Sequence, residues 1–279
     1  MQLDSLVTTD WLADHLDEVV VIDGTYYLAS MGKDADIEFE RAHIPGARRW
    51  NIDLIADTSS PLKHMMPTAN VLASAAGRLG ISSKTPVVVY DQPGQFSAAR
   101  VWLAFKTMGH ESVALLDGGL PAWSGDVESG PVETSPEVDY GDFEGHRTTV
   151  AREDVLKAVE SGTSFIIDAR SAARFAGLAP EPVAGLRGGH MPGAINIPFT
   201  ELLDEQSRFK STECLREIFD RQGVVTEKPV VTSCGSGVTA SIVTFALARI
   251  GIESRVYDGS WSEWGKVELK LPVVAASQD

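Results

Sequence analysis

The chain has 279 residues, of which 43% are hydrophobic and 23% are charged, and this composition excludes a largely disordered protein. Its 24 lysine and arginine residues and 39 aspartate and glutamate residues give a formal net charge of −15, which disfavours binding to nucleic acid. No apolar run reaches the roughly 18 residues that a membrane-spanning helix needs, so we expect no membrane partner.

Two cysteines, Cys214 and Cys234, occur in the chain. They form neither a disulfide framework nor a Cys-x-x-Cys motif, so the sequence predicts no bound metal. The N-terminus lacks the basic and apolar regions of a secretory signal peptide. We therefore expect a cytoplasmic protein in which both thiols are reduced.

Short apolar runs alternate with helical patterns along the whole chain. The predicted strands occupy residues 19–23, 87–91, 113–116, 165–168, 230–233 and 255–257. The predicted helices occupy residues 70–79, 98–108, 213–221 and 239–250. Because the strand runs are apolar without alternation, they are typical of strands covered on both faces, and the sequence predicts parallel sheets flanked by helices.

This pattern occurs twice. The motif His43-Ile-Pro-Gly-Ala recurs 147 residues later as His190-Met-Pro-Gly-Ala, and two strand runs and an Asp-Gly turn recur in the same order at similar spacing. We therefore predict two copies of one domain, at residues 1–128 and 148–279, joined by a linker at 129–147 that contains glycine, proline and acidic residues. Because both copies carry the histidine, His43 and His190 are expected to have a structural role.

The chemistry is expected in the loop that follows the predicted strand 230–233. The loop sequence is Cys234-Gly235-Ser236-Gly237-Val238-Thr239. Glycines let backbone amides converge, Thr239 is placed to cap the next helix, and the positive helix end favours an anion, so the loop is typical of a nucleophilic cysteine. A cysteine phosphatase would need an arginine six residues after the cysteine, where this chain has Ala240. The first copy has Asp91 at the matching position, so we expect the second copy to carry the chemistry.

The tandem His-x-Pro-Gly-Ala motifs and the Cys-Gly-Ser-Gly-Val-Thr loop resemble those of tandem-domain sulfurtransferases of the rhodanese family, and the loop is similar to that of the 3-mercaptopyruvate branch. The resemblance implies an α/β fold with two rhodanese-like domains, each a mainly parallel sheet flanked by helices. It also implies that Cys234 is a nucleophile that becomes a persulfide, that the amides of residues 235–239 hold the transferred sulfur, and that no metal or organic cofactor takes part.

The resemblance also implies roles for residues outside the loop. Ser236 and Asp53 would form a proton relay around Cys234, and His64 would lie near the substrate. Arg174 would bind the substrate carboxylate, for which a guanidinium fork is well suited. Since Asp53 and His64 belong to the first copy, the resemblance implies a site between the two domains.

One position departs from the pattern of the family. Relatives usually carry a second substrate arginine directly after Glu-Pro, whereas Glu181-Pro182 is followed here by Val183. Arg187, four residues farther along the chain, is the candidate to take that place; without such a replacement, we expect weaker substrate affinity or a different selectivity.

The sequence therefore predicts an enzyme that moves sulfur from the small molecule 3-mercaptopyruvate through a Cys234 persulfide to a thiol, to thioredoxin or to cyanide, and releases pyruvate. One alternative is a thiosulfate:cyanide sulfurtransferase on the same scaffold, which the neutral loop argues against and Val183 keeps open. The other alternative is a non-catalytic sulfur-carrier module, which the intact loop disfavours.

Overall fold

The computed structural model describes residues 3–132, 136–224 and 227–276, and it divides into two compact units. Unit 1 comprises Met1–Thr58, Met66–His146 and Glu205–Arg208. Unit 2 comprises Ser59–Met65, Arg147–Asp204 and Phe209–Asp279. Each unit therefore includes a short segment from the part of the chain that otherwise forms the other unit.

The described part of unit 1 contains one five-stranded sheet with helices around it. Its strands are β1 (Leu6–Val7), β2 (Val20–Asp23), β3 (Arg48–Arg49), β4 (Val87–Tyr90) and β5 (Val113–Leu116). Its helices are α1 (Thr9–Asp14), α2 (Ala35–Arg41), α3 (Ala69–Arg78), α4 (Ala98–Thr107) and α5 (Gly119–Ala122), with 3-10 helices at Leu16–Glu18 and Ala29–Met31. All neighbouring strands are parallel, in the order β1-β5-β4-β2-β3.

Unit 2 repeats this architecture. Its strands are β6 (Thr149–Val150), β7 (Phe165–Asp168), β8 (Ile195–Asn196), β9 (Val230–Ser233) and β10 (Ser254–Tyr257). Its helices are α6 (Arg152–Ser161), α7 (Ala172–Phe175), α8 (Thr212–Arg221), α9 (Ala240–Arg249) and α10 (Ser260–Trp264), with 3-10 helices at Phe199–Leu202 and Val267–Leu269. The parallel order β6-β10-β9-β7-β8 corresponds strand for strand to that of unit 1. Within the described residues, no helix is long and apolar enough to cross a membrane.

The two matching parallel sheets confirm the predicted α/β architecture. The six predicted strands and four predicted helices agree with the structure to within one residue at each end. The sequence does not predict β1, β3, β6 and β8, because a run of two residues carries no periodicity to recognise.

The central strands β4 and β9 position Asp91 and Cys234. Every residue of these two strands is buried, as expected for strands covered on both faces. The carboxyl ends of parallel strands meet at one edge of a sheet, where ligands of open α/β folds bind. Asp91 follows β4 and Cys234 follows β9, so each lies at that edge of its own sheet.

His43 and His190 make the same contacts in their respective units. Nδ1 of His43 lies 2.8 Å from the carbonyl oxygen of Phe39, and the two rings stack at 4.3 Å. Nδ1 of His190 lies 2.9 Å from the carbonyl oxygen of Phe175, and these rings stack at 3.8 Å. Each histidine thus ties its motif to a helix, α2 or α7, which agrees with the structural role expected for both.

The described residues of the predicted linker contact unit 1, whereas its residues 133–135 lie outside the described residues. Tyr140 is buried, and its carbonyl accepts a hydrogen bond from the amide of Ser83 at 2.7 Å. Farther along, the amide of His146 donates to the carbonyl of Thr107 at 2.8 Å. This part of the segment is held along unit 1, and the boundaries at residues 128 and 148 stay a prediction.

Candidate active site

Cys234 lies at the carboxyl end of β9, and only 2% of its surface is exposed. The start of α10 holds its backbone. The amide of Cys234 donates to Oγ of Ser260 at 3.1 Å, and its carbonyl accepts from the amide of Trp261 at 3.0 Å. The carbonyl of Gly235 accepts from the amide and the hydroxyl of Ser262, at 2.8 and 2.7 Å. These bonds fix the beginning of the loop and use none of the amides that follow Cys234.

The amides after Cys234 are available to a ligand. Within the described residues, the N–H groups of residues 235–239 donate to no protein acceptor. Gly237 has a φ of 79°, a left-handed conformation that favours glycine, and it turns the loop toward α9. Unused amides ahead of the ten-residue helix α9 favour an anion. The loop is therefore suited to hold a thiolate or a persulfide at Cys234.

Thr239 does not cap α9, contrary to the prediction. It occupies the N-cap position, but its own backbone is already helical and its side chain accepts no hydrogen bond from the helix. The hydroxyl of Ser241 closes the loop instead, by donating to the carbonyl of Gly237 at 3.1 Å. The Thr239 side chain consequently does not compete with a ligand for the amides at the start of the helix.

In the corresponding loop of unit 1, a carboxyl oxygen occupies this place. Oδ2 of Asp91 accepts hydrogen bonds from the amides of Phe96, Ser97 and Ala98 at 2.8, 2.7 and 2.8 Å. Burial raises the pKa of the Asp91 carboxyl, and the three amides oppose that rise because they favour the charged form. The strand, loop and helix of this fold thus form a cradle for one anionic atom.

Arg174 lies against the Cys234 loop. A Cβ atom at Gly235 would be 3.1 Å from Nη2 of Arg174, so the glycine gives the guanidinium room to approach. Nε and Nη2 donate to the carboxylate of Glu181 at 3.3 and 2.5 Å. In the part of the chain that the structure describes, Nη1 donates to no protein acceptor. One edge of the guanidinium therefore remains for an anionic ligand beside the loop.

A buried ion-pair network, which is not predicted from the sequence, supports Arg174. Nε of Arg170 donates to both carboxylate oxygens of Asp168, at 3.1 and 3.0 Å, and Nη2 donates to Oδ2 at 2.6 Å. Nη1 of Arg170 donates to Glu181 at 2.8 Å. The Arg170 side chain is fully buried, with its guanidinium 4.1 Å from the ring centre of Trp261. The only signal in the sequence is an arginine two residues after a strand that ends in aspartate, and it does not reveal the partners.

The predicted site residues Ser236 and His64 both belong to unit 2. Ser236 is half-buried in the Cys234 loop. His64 belongs by sequence to the first copy, but its segment Ser59–Met65 groups with unit 2. It is 5% exposed and has a left-handed φ of 61°, which is uncommon for a residue with a side chain. His64 therefore lies within the first copy by sequence and within unit 2 by structure, and its expected role stays a prediction.

Asp53 belongs to unit 1 and is exposed. Its amide donates to Oδ1 of Asn51 at 2.9 Å, in the turn that follows β3. It lines a cleft of about 150 Å³ together with Tyr26, Lys33 and Arg49, among others. Burial raises the pKa of Tyr26, and the charge of Asp53 raises it further. The predicted relay of Asp53 with Ser236 stays a prediction.

Arg187 is bound to the end of α10. Its Nε, Nη1 and Nη2 atoms donate to the carbonyls of Gly265, Leu271 and Trp264 at 3.3, 2.7 and 2.9 Å. A guanidinium on the last carbonyls of a helix satisfies groups that the helix itself leaves unpaired. These contacts give Arg187 a structural role, and they do not support its predicted contact with the substrate.

Comparison with known proteins agrees with this geometry. Residues 8–126 and 151–266 each match the Rhodanese-like domain. The 3-mercaptopyruvate sulfurtransferase of Escherichia coli K12 is 43% identical over 276 residues and covers 96% of both chains. The mouse 3-mercaptopyruvate sulfurtransferase is 41% identical over 277 residues, covering 93% of this chain and 91% of its own length.

Two further similarities bear on the fold and on the range of relatives. The crystal structure of SseA from Escherichia coli superposes with a TM-score of 0.81 at 40% identity and covers 93% of this chain and 99% of its own. Thiosulfate/3-mercaptopyruvate sulfurtransferase 2 of Arabidopsis thaliana is 38% identical over 299 residues, with 98% of this chain and 87% of its own length covered. With both units matched and close relatives along nearly its whole length, the chain belongs to the rhodanese family.

Proposed function

We propose that this chain is a 3-mercaptopyruvate sulfurtransferase that carries sulfur as a persulfide on Cys234. The proposal depends on one observation above all, the placement of Arg174 against Gly235, because it brings a carboxylate-binding group to a nucleophile loop whose amides are unused. The names of the bacterial and mouse relatives support the same activity.

In the first half-reaction, the carboxylate of 3-mercaptopyruvate binds the open edge of the Arg174 guanidinium. The Cys234 thiolate then attacks the substrate sulfur, so that a sulfur–sulfur bond forms and the carbon–sulfur bond breaks. The electron pair leaves on the enolate of pyruvate, which takes up a proton to give pyruvate. The amides of residues 235–239 donate to the persulfide and stabilise its charge.

Three further residues serve this step in our proposal. Ser236 and Asp53 manage the proton that the enolate needs, and His64 borders the donor. These assignments rest on the resemblance of the sequence to the family and on the position of Ser236 in the loop.

In the second half-reaction, a nucleophile attacks the outer sulfur of the persulfide and restores the Cys234 thiolate. We propose a small thiol, thioredoxin or cyanide as this acceptor, so the kinetics should be ping-pong. Cys214 and Cys234 are both free, which fits the reducing cytoplasm in which we propose that the enzyme works. The net charge of −15 argues against nucleic acid as a partner.

The test is a single turnover in the absence of an acceptor. We expect 3-mercaptopyruvate to release one pyruvate per chain and to add one sulfur atom to the peptide that contains Cys234, as read by mass spectrometry. Addition of a thiol should then restore the original mass and start steady turnover. The Cys214→Ser variant is the matched control, because Cys214 is an exposed helical thiol that should not take part. A persulfide that forms but never turns over would identify a sulfur carrier instead.

Thiosulfate:cyanide sulfurtransferase activity is the second candidate. Position 183 carries a valine, 55% exposed, which has no guanidinium, and the guanidinium of Arg187 is bound to backbone carbonyls. Neither residue therefore supplies a second guanidinium for the donor carboxylate. The Arabidopsis relative carries both donors in its name. With cyanide as the acceptor, a higher kcat/KM for 3-mercaptopyruvate than for thiosulfate would support the main proposal, and the reverse order would select the second.

A further inference from the structure

We infer that Arg170 and Glu181 are positioning residues that hold Arg174 against the Cys234 loop. The inference rests on the proposed function, in which Arg174 binds the carboxylate of the sulfur donor. Neither Arg170 nor Glu181 would touch the donor, since both act through the Arg174 guanidinium.

Glu181 connects the two arginines. Its side chain is only 2% exposed, and its Oε1 atom accepts from Nη1 of Arg170 at 2.8 Å and from Nε of Arg174 at 3.3 Å. Oε2 accepts from Nη2 of Arg174 at 2.5 Å. The carboxylate thus occupies the Nε side of the Arg174 guanidinium and leaves the Nη1 side open. Glu181 therefore orients the Arg174 guanidinium and determines which edge of the guanidinium faces a ligand.

Arg170 anchors Glu181 to the sheet that carries the nucleophile. Its three hydrogen bonds to Asp168 and its bond to the carbonyl of Gly189, at 2.8 Å, hold the buried guanidinium in place. Asp168 is the last residue of β7 and pairs with Ser233, which directly precedes Cys234. The charges of Asp168, Arg170, Glu181 and Arg174 alternate along the network, so its four charges sum to zero.

Arg174 needs such support because its own element is small. Helix α7 has four residues, and the Arg174 side chain is 24% exposed. A long, partly exposed arginine loses rotamer entropy when it is fixed in one conformation. The two hydrogen bonds that Arg174 donates to Glu181 fix its side chain before the sulfur donor arrives, so that binding does not have to order the side chain.

The experiment measures carboxylate recognition at Cys234 without sulfur transfer. The probes are 3-bromopyruvate and its neutral ethyl ester, which alkylate a thiolate by the same displacement of bromide and formation of a thioether. All variants carry Cys214→Ser, so that Cys234 is the reacting thiol. The ratio of the two second-order rate constants, bromopyruvate over ester, reports how well the guanidinium is placed. It needs no acceptor and no release of pyruvate.

We expect Glu181→Gln to lower this ratio roughly tenfold, close to the level of Arg174→Ala, while the rate constant with the ester stays unchanged. Glu181→Asp keeps the charge between the two arginines but is too short to reach both, so it should lower the ratio as well. It also preserves the test if the glutamine variant does not fold. The matched control is Asp154→Asn, which removes a carboxylate from another ion pair of unit 2, with Arg147 at 2.5 Å. The control should leave the ratio unchanged.

In steady state, Glu181→Gln should raise KM for 3-mercaptopyruvate and change kcat little. An unchanged ratio in both Glu181 variants, with a lowered ratio in Arg174→Ala, would overturn the positioning role. An equal loss of rate with both probes would overturn it too, because it would mean a general loss of Cys234 reactivity. If the ratio falls in the Glu181 variants as expected but the wild type shows no turnover with 3-mercaptopyruvate, the proposed function fails and the positioning role stands.

Discussion

The loops after β4 and β9 are built alike and used differently. In unit 1 the carboxylate of Asp91 accepts three amide hydrogen bonds at 2.7 to 2.8 Å. In unit 2 the matching residue is Cys234, and within the described residues the amides of 235–239 have no protein acceptor. Since a covalently attached carboxylate fills the first cradle, only the second can take up an external anionic group.

A second difference accompanies the first. Gly119 of unit 1 and Ser260 of unit 2 occupy matching positions after the Asp-Gly turn, and both have a left-handed φ, of 60° and 47°. Glycine adopts this conformation readily, whereas serine does so at an energetic cost. In unit 2 the serine hydroxyl accepts the hydrogen bond of the Cys234 amide. Unit 2 keeps a strained residue where that residue holds the backbone of Cys234, and unit 1 does not.

The largest effect is expected when the second loop is made to resemble the first. Cys234→Asp removes the nucleophile and supplies a carboxylate for the amides, so turnover should fall by at least about a thousandfold. The fold should be retained, because an aspartate already occupies the matching position in unit 1. Steady-state assays and thermal unfolding would test this. Residual turnover within tenfold of the wild type would exclude Cys234 as the nucleophile.

Part of this difference between the two units can be predicted from the sequence. The duplication, the central strands and the cysteine loop are predictable, because they depend on local apolar runs and on glycines close together in the chain. The network of Asp168, Arg170 and Glu181 is not predictable, because its side chains meet only in the folded chain and no sequence pattern reveals these contacts. Arg187 illustrates the same limit, since nothing local shows that its guanidinium bonds the carbonyls of Trp264 and Gly265 at the end of α10.

The next effect concerns Arg174, the residue of unit 2 that we propose binds the donor. Arg174→Ala removes a charged, two-pronged contact to the carboxylate, so kcat/KM for 3-mercaptopyruvate should fall roughly a hundredfold. Arg174→Lys keeps the charge without the two-pronged geometry, so its kcat/KM should lie between those of the wild type and Arg174→Ala. Because thiosulfate has no carboxylate, kcat/KM for thiosulfate should fall less in both variants. Equal losses with the two donors would contradict a role of Arg174 in carboxylate binding.

A third prediction uses the filled cradle of unit 1. Because burial raises the pKa of Asp91, the carboxyl group binds its proton more tightly in the folded chain than in the unfolded chain. Its contribution to the free energy of unfolding is therefore complete below the unfolded pKa of about 3.9 and is lost as the pH rises through the raised value.

Asp91→Asn should lack this pH dependence and should leave sulfur transfer unchanged. Urea unfolding of both proteins at a series of pH values from about 4 upward would measure it. The stability of the wild type should decline relative to the variant as the pH rises. A difference that stays constant would show that the three amides compensate fully for the burial of the charge.

The smallest effect is expected at Ser260 and separates strain from anchoring. Ser260→Ala and Ser260→Gly both remove the acceptor of the Cys234 amide, so both should lower kcat severalfold. The glycine variant also relieves the left-handed conformation, as Gly119 does in unit 1, and should be about 1 kcal/mol more stable than the alanine variant. Thermal unfolding and single-turnover rates would be compared. If the glycine variant were as active as the wild type, the hydroxyl would not be needed to hold Cys234, and the difference between the two loops would reduce to Cys234 and its free amides.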